Sequence, residues 1–282
     1  MADDLTVIIV ALLGGEALDL TAAAVGTQAK RLLVVQRDGR ITDSFGEKVG
    51  ATDRLDIPSK RRRAVELATT SLVALIEDTV IPEPHWASAI AEALSANGAV
   101  ACGGPVRISG GLPASSRALA LSEYGGFGNR KSNQRVSVLP GCNFAFRRDA
   151  LLKAMVGEGL VDQKVFRELS KVGKLVWAPE MAVTYARANP EGARLRARFD
   201  HGRIYGSAEG AHAGFARRIG NAGKAILLPP VLTLRSLRNA SPAERRSLPT
   251  LGWLALQHAA WAAGEFAGSI AGPSRKGLDE WR

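Results

Sequence analysis

Apolar residues gather into short unbroken runs over the first two hundred positions of this chain, and into long interrupted ones beyond them. Leu5–Leu13 (LTVIIVALL), Arg31–Gln36 (RLLVVQ) and Leu72–Ile76 (LVALI) are continuous and rich in aliphatic residues. Such runs, bounded by turn signals, predict strands buried on both faces, as in parallel sheets. Gly14–Gly15 closes the first run, and Glu16–Gln28 has the composition and spacing of a helix. Strand, helix and strand in this order make a βαβ unit, whose crossover is right-handed in nearly all cases. Further on, the pattern predicts a helical run over Ala64–Thr70, an amphipathic helix over Pro84–Ala96 and a short strand over Ala99–Cys102. A strand headed by Asn143, a helix from Asp149 and a helix over Leu160–Val172 follow. Short strands at Lys174–Trp177 and Ala182–Tyr185 lead to a basic helix, Arg194–Tyr205. Ile108–Gln134, rich in Gly and Ser, predicts a long, partly ordered loop, a feature that is often functional.

The third apolar run stops abruptly at Glu77 and Asp78, before a loop closed by Pro82 and Pro84. Ligands of open α/β sheets bind outside the carboxyl ends of such strands. Two adjacent carboxylates there can hold a hard divalent cation, and the cation can hold phosphate oxygens; equally, they can simply cap the next helix. Asp38, in Arg37-Asp38-Gly39 at the end of the second run, can accept hydrogen bonds from a base or ribose, or belong to an ordinary Asp-Gly turn. The segment Pro58–Arg63 (PSKRRR) carries four cations that suit a diphosphate near a strand edge, or form a solvated charge run. Asn143, delivered by the turn after Leu139, can bond sugar hydroxyls or satisfy its own turn. Asp162, near a helix start, is a favourable partner for the helix dipole. No GxGxxG follows the first strand, which disfavours a classical dinucleotide fold.

At 282 residues and 46% hydrophobic, the chain can bury a sizeable core, and disorder is excluded. Cys102 and Cys142 form no CxxC or zinc pattern and read as reduced core thiols. Asp3 and Asp4 stand where a secretory signal carries positive charge, so the expected location is cytoplasmic. The net charge is +10, and from Arg187 onward 15 Lys/Arg against 7 Asp/Glu supply +8 of it. A basic C-terminal third suggests an anionic partner; no RRM, KH, zinc-finger or bZIP signature points to nucleic acid. There, Ala213–Arg238 interleaves cations with aliphatic clusters, and Thr250–Gly272 is apolar except for Gln257, His258 and Glu265. Charges at bilayer depth are costly, so the expectation is amphipathic helices in the membrane interface, on anionic lipid at the cytoplasmic face of an inner membrane. The alternative is a helical hairpin packed on the first domain or in a homodimer.

In order and spacing, these stretches resemble family 2 glycosyltransferases with the GT-A fold. The resemblance rests on the first strand, Arg37-Asp38-Gly39, Lys60–Arg63, LIEDTVIPEPHW (Leu75–Trp86), GGPV (Gly103–Val106), LPGCNFAFRRDAL (Leu139–Leu151) and FDHGRIYG (Phe199–Gly206). It implies a Rossmann-like βαβ, mixed and mostly parallel sheet flanked by helices over 1–210; the residues beyond it themselves give the expectation of a C-terminal helical, membrane-interfacial region over 211–282. By position it places Ala11 and Asp38 near the base and ribose, and Arg63 near the nucleotide. It places Glu77 and Asp78 at the site for Mg2+ or Mn2+ and the donor diphosphate, and Asn143 facing the donor sugar or acceptor. Asp162 becomes the catalytic base, and His201 and Arg203 close over the diphosphate or acceptor. The implied reaction is inverting transfer from a nucleoside-diphosphate sugar to an acceptor hydroxyl, on a lipid-linked saccharide of cell-surface polysaccharide synthesis. The competing reading is a non-catalytic protein of this fold that binds nucleotide-sugars or assembles at the membrane. Two departures matter: Thr79 replaces an Asp or His, and Tyr185 replaces a later metal-binding His. Both are poor ligands for a divalent cation.

Overall fold

In the computed structural model, β1 (Ala2–Val10) pairs in parallel with β2 (Ala29–Val35) on one side and β5 (Leu72–Glu77) on the other. The structure describes residues 2–26, 28–54, 56–127, 134–155, 160, 162–187, 191–210 and 215–271. The hairpin β3 (Arg40–Asp43) and β4 (Lys48–Ala51) extends the sheet beyond β2, and β9 (Asn143–Arg147), β7 (Ala99–Gly103) and β10 (Lys174–Trp177) extend it beyond β5. The order is β10-β7-β9-β5-β1-β2-β3-β4. Six of these eight strands run one way; β3 and β9 oppose them. A second sheet joins β6 (Val80–Pro82), β11 (Val183–Tyr185) and β8 (Val106–Ile108). This is the mixed, mostly co-directional α/β sheet that the resemblance implies, with the apolar runs as its central parallel strands.

The chain forms two compact units, Met1–Arg107 with Phe127–Arg187, and Ile108–Gly126 with Ala188–Trp281. In the first, helices α1 (Gly15–Gly26), α2 (Ile57–Leu67), α3 (Trp86–Ser95), α5 (Arg148–Ala154) and α6 (Asp162–Val172) flank the sheet. Side chains alternate across a strand, and this sorts the core. Val73 and Leu75 of β5 and Phe144 and Phe146 of β9 share one face with Val65 of α2, Leu151 of α5 and Phe166 of α6. The Phe144 ring lies edge-on to Phe146 and Phe166, with centroids 5.0 and 5.7 Å apart. From β1 the chain goes to β2 on one side and later returns to β5 on the other. The strand order thus reverses at the β1/β5 edge, where Val10 stands beside Glu77, and such a switch point opens a crevice at the carboxyl ends.

Two elements differ from the sequence reading. Helix α2 starts at Ile57, not at Ala64, because Asp56 caps it: its carboxylate accepts from the Ser59 amide at 2.8 Å, and Pro58 suits the first turn. The whole cationic run therefore lies on a helix. The predicted loop Ile108–Gln134 contains a helix, α4 (Ala114–Tyr124), whose Ser115, Ser116, Ala118 and Leu121 are buried; residues 128–133 lie outside the described residues. Small residues that read as loop in isolation here allow close packing.

Helix α4 belongs to the second unit, with α7 (Glu191–Gly210), α8 (Phe215–Asn239), α9 (Pro242–Arg246) and α10 (Leu248–Ala271). The expected boundary at residue 210 falls between α7 and α8, inside this unit. Its core gathers Ala118 and Leu121 of α4, Ala240 and Leu254. Helices α7 and α10 meet backbone to backbone. A Cβ on Gly202 or Gly206 would strike the carbonyls of Trp261 and Glu265, and one on Gly264 or Gly268 those of Phe199 and Arg203. Two small-xxx-small motifs thus face each other, which accounts for both glycines of FDHGRIYG. Among the described residues, no helix is long and apolar enough to cross a membrane.

Candidate functional site

At a helical period of 3.6, Arg61 lies in the same row of α2 as Ala64, Val65 and Ala68, all in the core. An arginine in that row must find anions inside the protein. Its Nη1 donates to Asp162 Oδ1 at 2.9 Å, and its Nη2 to Glu77 Oε1 at 2.8 Å and the Gly141 carbonyl at 2.9 Å. The guanidinium lies over the Phe144 ring, 5.6 Å from its centroid. Glu77 ends β5 with the parity of Leu75 and so points to the α2 face; its Oε2 accepts from Thr79 Oγ1 at 3.3 Å. Asp162 opens α6. Its Oδ2 lies against Gly141, only 2.7 Å from where a Cβ on that glycine would stand. Burial raises the Asp162 carboxyl above its ordinary range, and the Arg61 charge and hydrogen bond pull it partly back. A carboxylate poised this way, with one oxygen held by a fixed cation, is suited to accept a proton.

Asp78 has the opposite parity and a different surrounding. It is fully buried. Its Oδ1 accepts from the Leu12 amide at 2.9 Å, and its Oδ2 from the amides of Leu13 and Gly14 at 2.9 and 2.7 Å. The loop can wrap the carboxylate because Gly14 and Gly15 adopt φ of 73° and 53°. The result is an anion-binding nest already filled by a side chain. Ala11, buried at the start of this loop, donates its amide to the Val35 carbonyl.

Asn143 also faces away from Arg61. Residues 144 and 146 of β9 take the α2 face, so Asn143 takes the α3 face, where its Oδ1 accepts from Trp86 Nε1 at 2.8 Å and its Nδ2 donates to the Met181 carbonyl at 2.7 Å. Fully buried, it ties β9 to the start of α3. Asp38 lies in the β2–β3 turn, where its carboxylate accepts from the amide and Nε of Arg40 and is held below its usual range by those bonds. Arg63, two residues from Arg61, is rotated to the other side of α2 and pairs with Glu66 at 3.4 Å. Thr79 and Tyr185 are both buried, Tyr185 opposite Val80. His201 and Arg203 lie on α7 in the second unit. There burial, with the Arg198 charge adding, lowers His201 to about 4.

The structure thus brings Glu77 and Asp162 together through Arg61, and sets Asp78, Asn143, Asp38 and Arg63 in other surroundings. Arg61 and Gly141 are the site residues that sequence reading did not single out. The signal for Arg61 was its place in an apolar helical row; nothing local marks Gly141. The carboxylates present do not by themselves make a cation site. Asp78 already accepts from three amides and Glu77 faces a guanidinium. Among the described residues, no three His, Cys, Asp or Glu side chains converge.

No family model matches the chain, and no curated protein matches it. Among solved structures it is similar to GalNAc-T7 crystallised with UDP, GalNAc and Mn2+, at 10% identity and a TM-score of 0.46, over 66% of this chain and 44% of that one. It is also similar to the mannosyltransferase PcManGT from Pyrobaculum calidifontis in complex with GDP-Man and Mn2+, at 14% identity and a TM-score of 0.42, over 97% of this chain and 77% of that one. A third likeness is to glucosyl-3-phosphoglycerate synthase from Mycobacterium tuberculosis in complex with phosphoglyceric acid, at 12% identity and a TM-score of 0.44, over 68% and 74% of the two chains. The chain spans less than half the length of the first of these, and every one of these TM-scores is below 0.5.

Proposed function

We propose that this chain is an inverting glycosyltransferase of the GT-A type, moving a sugar from a nucleoside-diphosphate sugar to an acceptor hydroxyl. The acceptor is a lipid-linked saccharide of cell-surface polysaccharide synthesis, met at a membrane surface. One observation carries the reading: Arg61, Glu77 and Asp162 meet at the carboxyl edge of β5, at the switch point of the sheet. Asp162 Oδ1 is held by Arg61, so Oδ2 takes the proton of the acceptor hydroxyl. The acceptor oxygen then forms its bond to the anomeric carbon as the bond to the diphosphate breaks, its electron pair leaving with the diphosphate. One displacement inverts the anomeric centre. Arg61 keeps the base ionised and oriented. No step is routed through a metal.

The test is a thermal-shift panel of UDP, GDP, CDP and dTDP, each with and without Mn2+, followed by transfer kinetics. One diphosphate raises the melting temperature by mass action. Asp162→Asn lowers turnover by about 10²–10⁴-fold and leaves donor affinity unchanged. A parallel loss of donor affinity overturns the role of Asp162. No response to any diphosphate, with no donor hydrolysis, overturns the transferase.

A further inference from the structure

Helix α8 buries a narrow side, at Ala222, Ala225 and Ser236. Opposite it, Ile219, Ile226, Leu227, Val231 and Leu234 are 53–68% exposed. At about 100° per residue these five fall in one arc of roughly 140°. Lys224 and Arg235, both exposed, border one edge of the arc, and exposed Arg238 lies within it at the C-terminal end. Exposed Arg245 and Arg246 of α9 continue the basic end, where Arg245 donates to the carbonyls of Leu237 and Arg238 at 2.8 and 3.0 Å. Five aliphatic side chains left in water on one helix face are costly, and the cations beside them select what covers them.

Pro229 and Pro230 interrupt α8. Pro230 has no N–H, so the carbonyl of Ile226, a residue of the exposed arc, loses its helical donor. Bare carbonyls are not tolerated in hydrocarbon but are readily hydrated at a headgroup layer. A second copy docked face to face with its α8 antiparallel would set basic edge against basic edge. A layer that is apolar below, anionic at its surface and wet between matches all three features.

We propose that the exposed face of α8 docks on an anionic phospholipid surface, with the aliphatic stripe in the headgroup boundary and the basic edge on the lipid phosphates. This rests on the part of the proposed function that sets the acceptor at a membrane, and not on the transfer chemistry. The full chain is sedimented with vesicles of phosphatidylcholine, alone or mixed with phosphatidylglycerol, in the absence of nucleotide. Binding to the mixed vesicles, weakened by salt, is expected. Ile226→Ser with Val231→Ser lowers partitioning by about tenfold or more, and Lys224→Gln with Arg235→Gln reduces the preference for phosphatidylglycerol by about tenfold or more. Both pairs are exposed, so an unchanged melting temperature confirms folding. Lack of binding to mixed vesicles, or binding that neither variant weakens, overturns the proposal. So does a concentration-dependent dimer in ultracentrifugation that the serine variant dissolves and vesicles do not compete for; in that case a second copy covers the face. Vesicle binding without any diphosphate response leaves this proposal standing and removes the transferase.

Discussion

Replacing Arg61 by alanine tests whether the centre of the first unit is held by charge or merely by shape. The Arg61 side chain is 8% exposed, and its two carboxylate partners, Glu77 and Asp162, are 12% and 27% exposed. Removing one partner of a buried ion pair typically costs about 3–5 kcal/mol, because a charge is stranded out of water. Two charges are stranded here, but water can reach Asp162 once the guanidinium is gone. The expected loss is therefore about 3–4 kcal/mol, not the sum of two pairs. Against a total stability of about 5–15 kcal/mol, the variant folds but is clearly weakened. The loss is also linked to pH. Without Arg61, the Asp162 carboxyl, already raised by burial, loses the charge and hydrogen bond that pull it back, so the folded variant gains stability as pH falls through its raised value. The gap between variant and parent thus narrows as pH falls, and is compared at about pH 7 and about pH 5. Urea unfolding at the two pH values measures the gap, and amide hydrogen exchange in β5 and β9 assigns it to this unit. A loss below about 1 kcal/mol, or an equal loss at both pH values, refutes the reasoning.

The same geometry sets four further expectations. Asp78→Ala strips three loop amides of their acceptor, each worth about 1–3 kcal/mol if left dry; a lowered urea midpoint, with Asp78→Asn intermediate, checks this, and an unchanged midpoint contradicts it. Gly264→Ala drives a methyl group into the Phe199 carbonyl and lowers the melting temperature of the second unit, at a cost of at least about 1–3 kcal/mol. Gly252→Ala on the same helix meets nothing within 4 Å and raises it, by about 1 kcal/mol. His258, 2% exposed and bonded to Thr233 Oγ1 at 2.9 Å, is lowered to about 4 by burial, with the Arg198 charge adding. The unfolded chain binds a proton there near pH 6.5, so stability is lost as pH falls from about 6.5 toward about 4, by up to about 3 kcal/mol. His258→Gln makes the acid limb of a pH–melting curve shallower, and a curve that does not change contradicts the assignment.

The strands β1, β2 and β5 are legible as unbroken aliphatic runs because a strand buried on both faces has no polar side to show. The carboxyl edge of β5, with Glu77 and Asp78, is legible for the same reason: that run stops where the sheet stops, whereas the first run outlasts β1, which ends at Val10. Helix α4 was hidden by its Ser-rich composition, since small residues mark a loop when solvated and a close contact when buried. The glycines of FDHGRIYG were legible only as a motif, and the reason for Gly202 and Gly206 lies in the backbone of a helix some sixty residues away.

Within the site, sequence determined the kind of chemistry, and tertiary structure decided which residues share it. Adjacent in sequence, Glu77 and Asp78 point to opposite sides of a strand, one to a guanidinium and the other to three amides. In the cationic run, Arg61 faces inward and Arg63 outward because a helix turns 100° per residue. Local pattern sets these phases, since period 2 and period 3.6 are properties of the backbone itself. What no local pattern contains is the partner. Arg61 and Asp162 are 101 residues apart, and only the docking of α2 and α6 on one face of the sheet brings a buried cation and its carboxylate within hydrogen-bond distance, where desolvation makes the pairing obligatory.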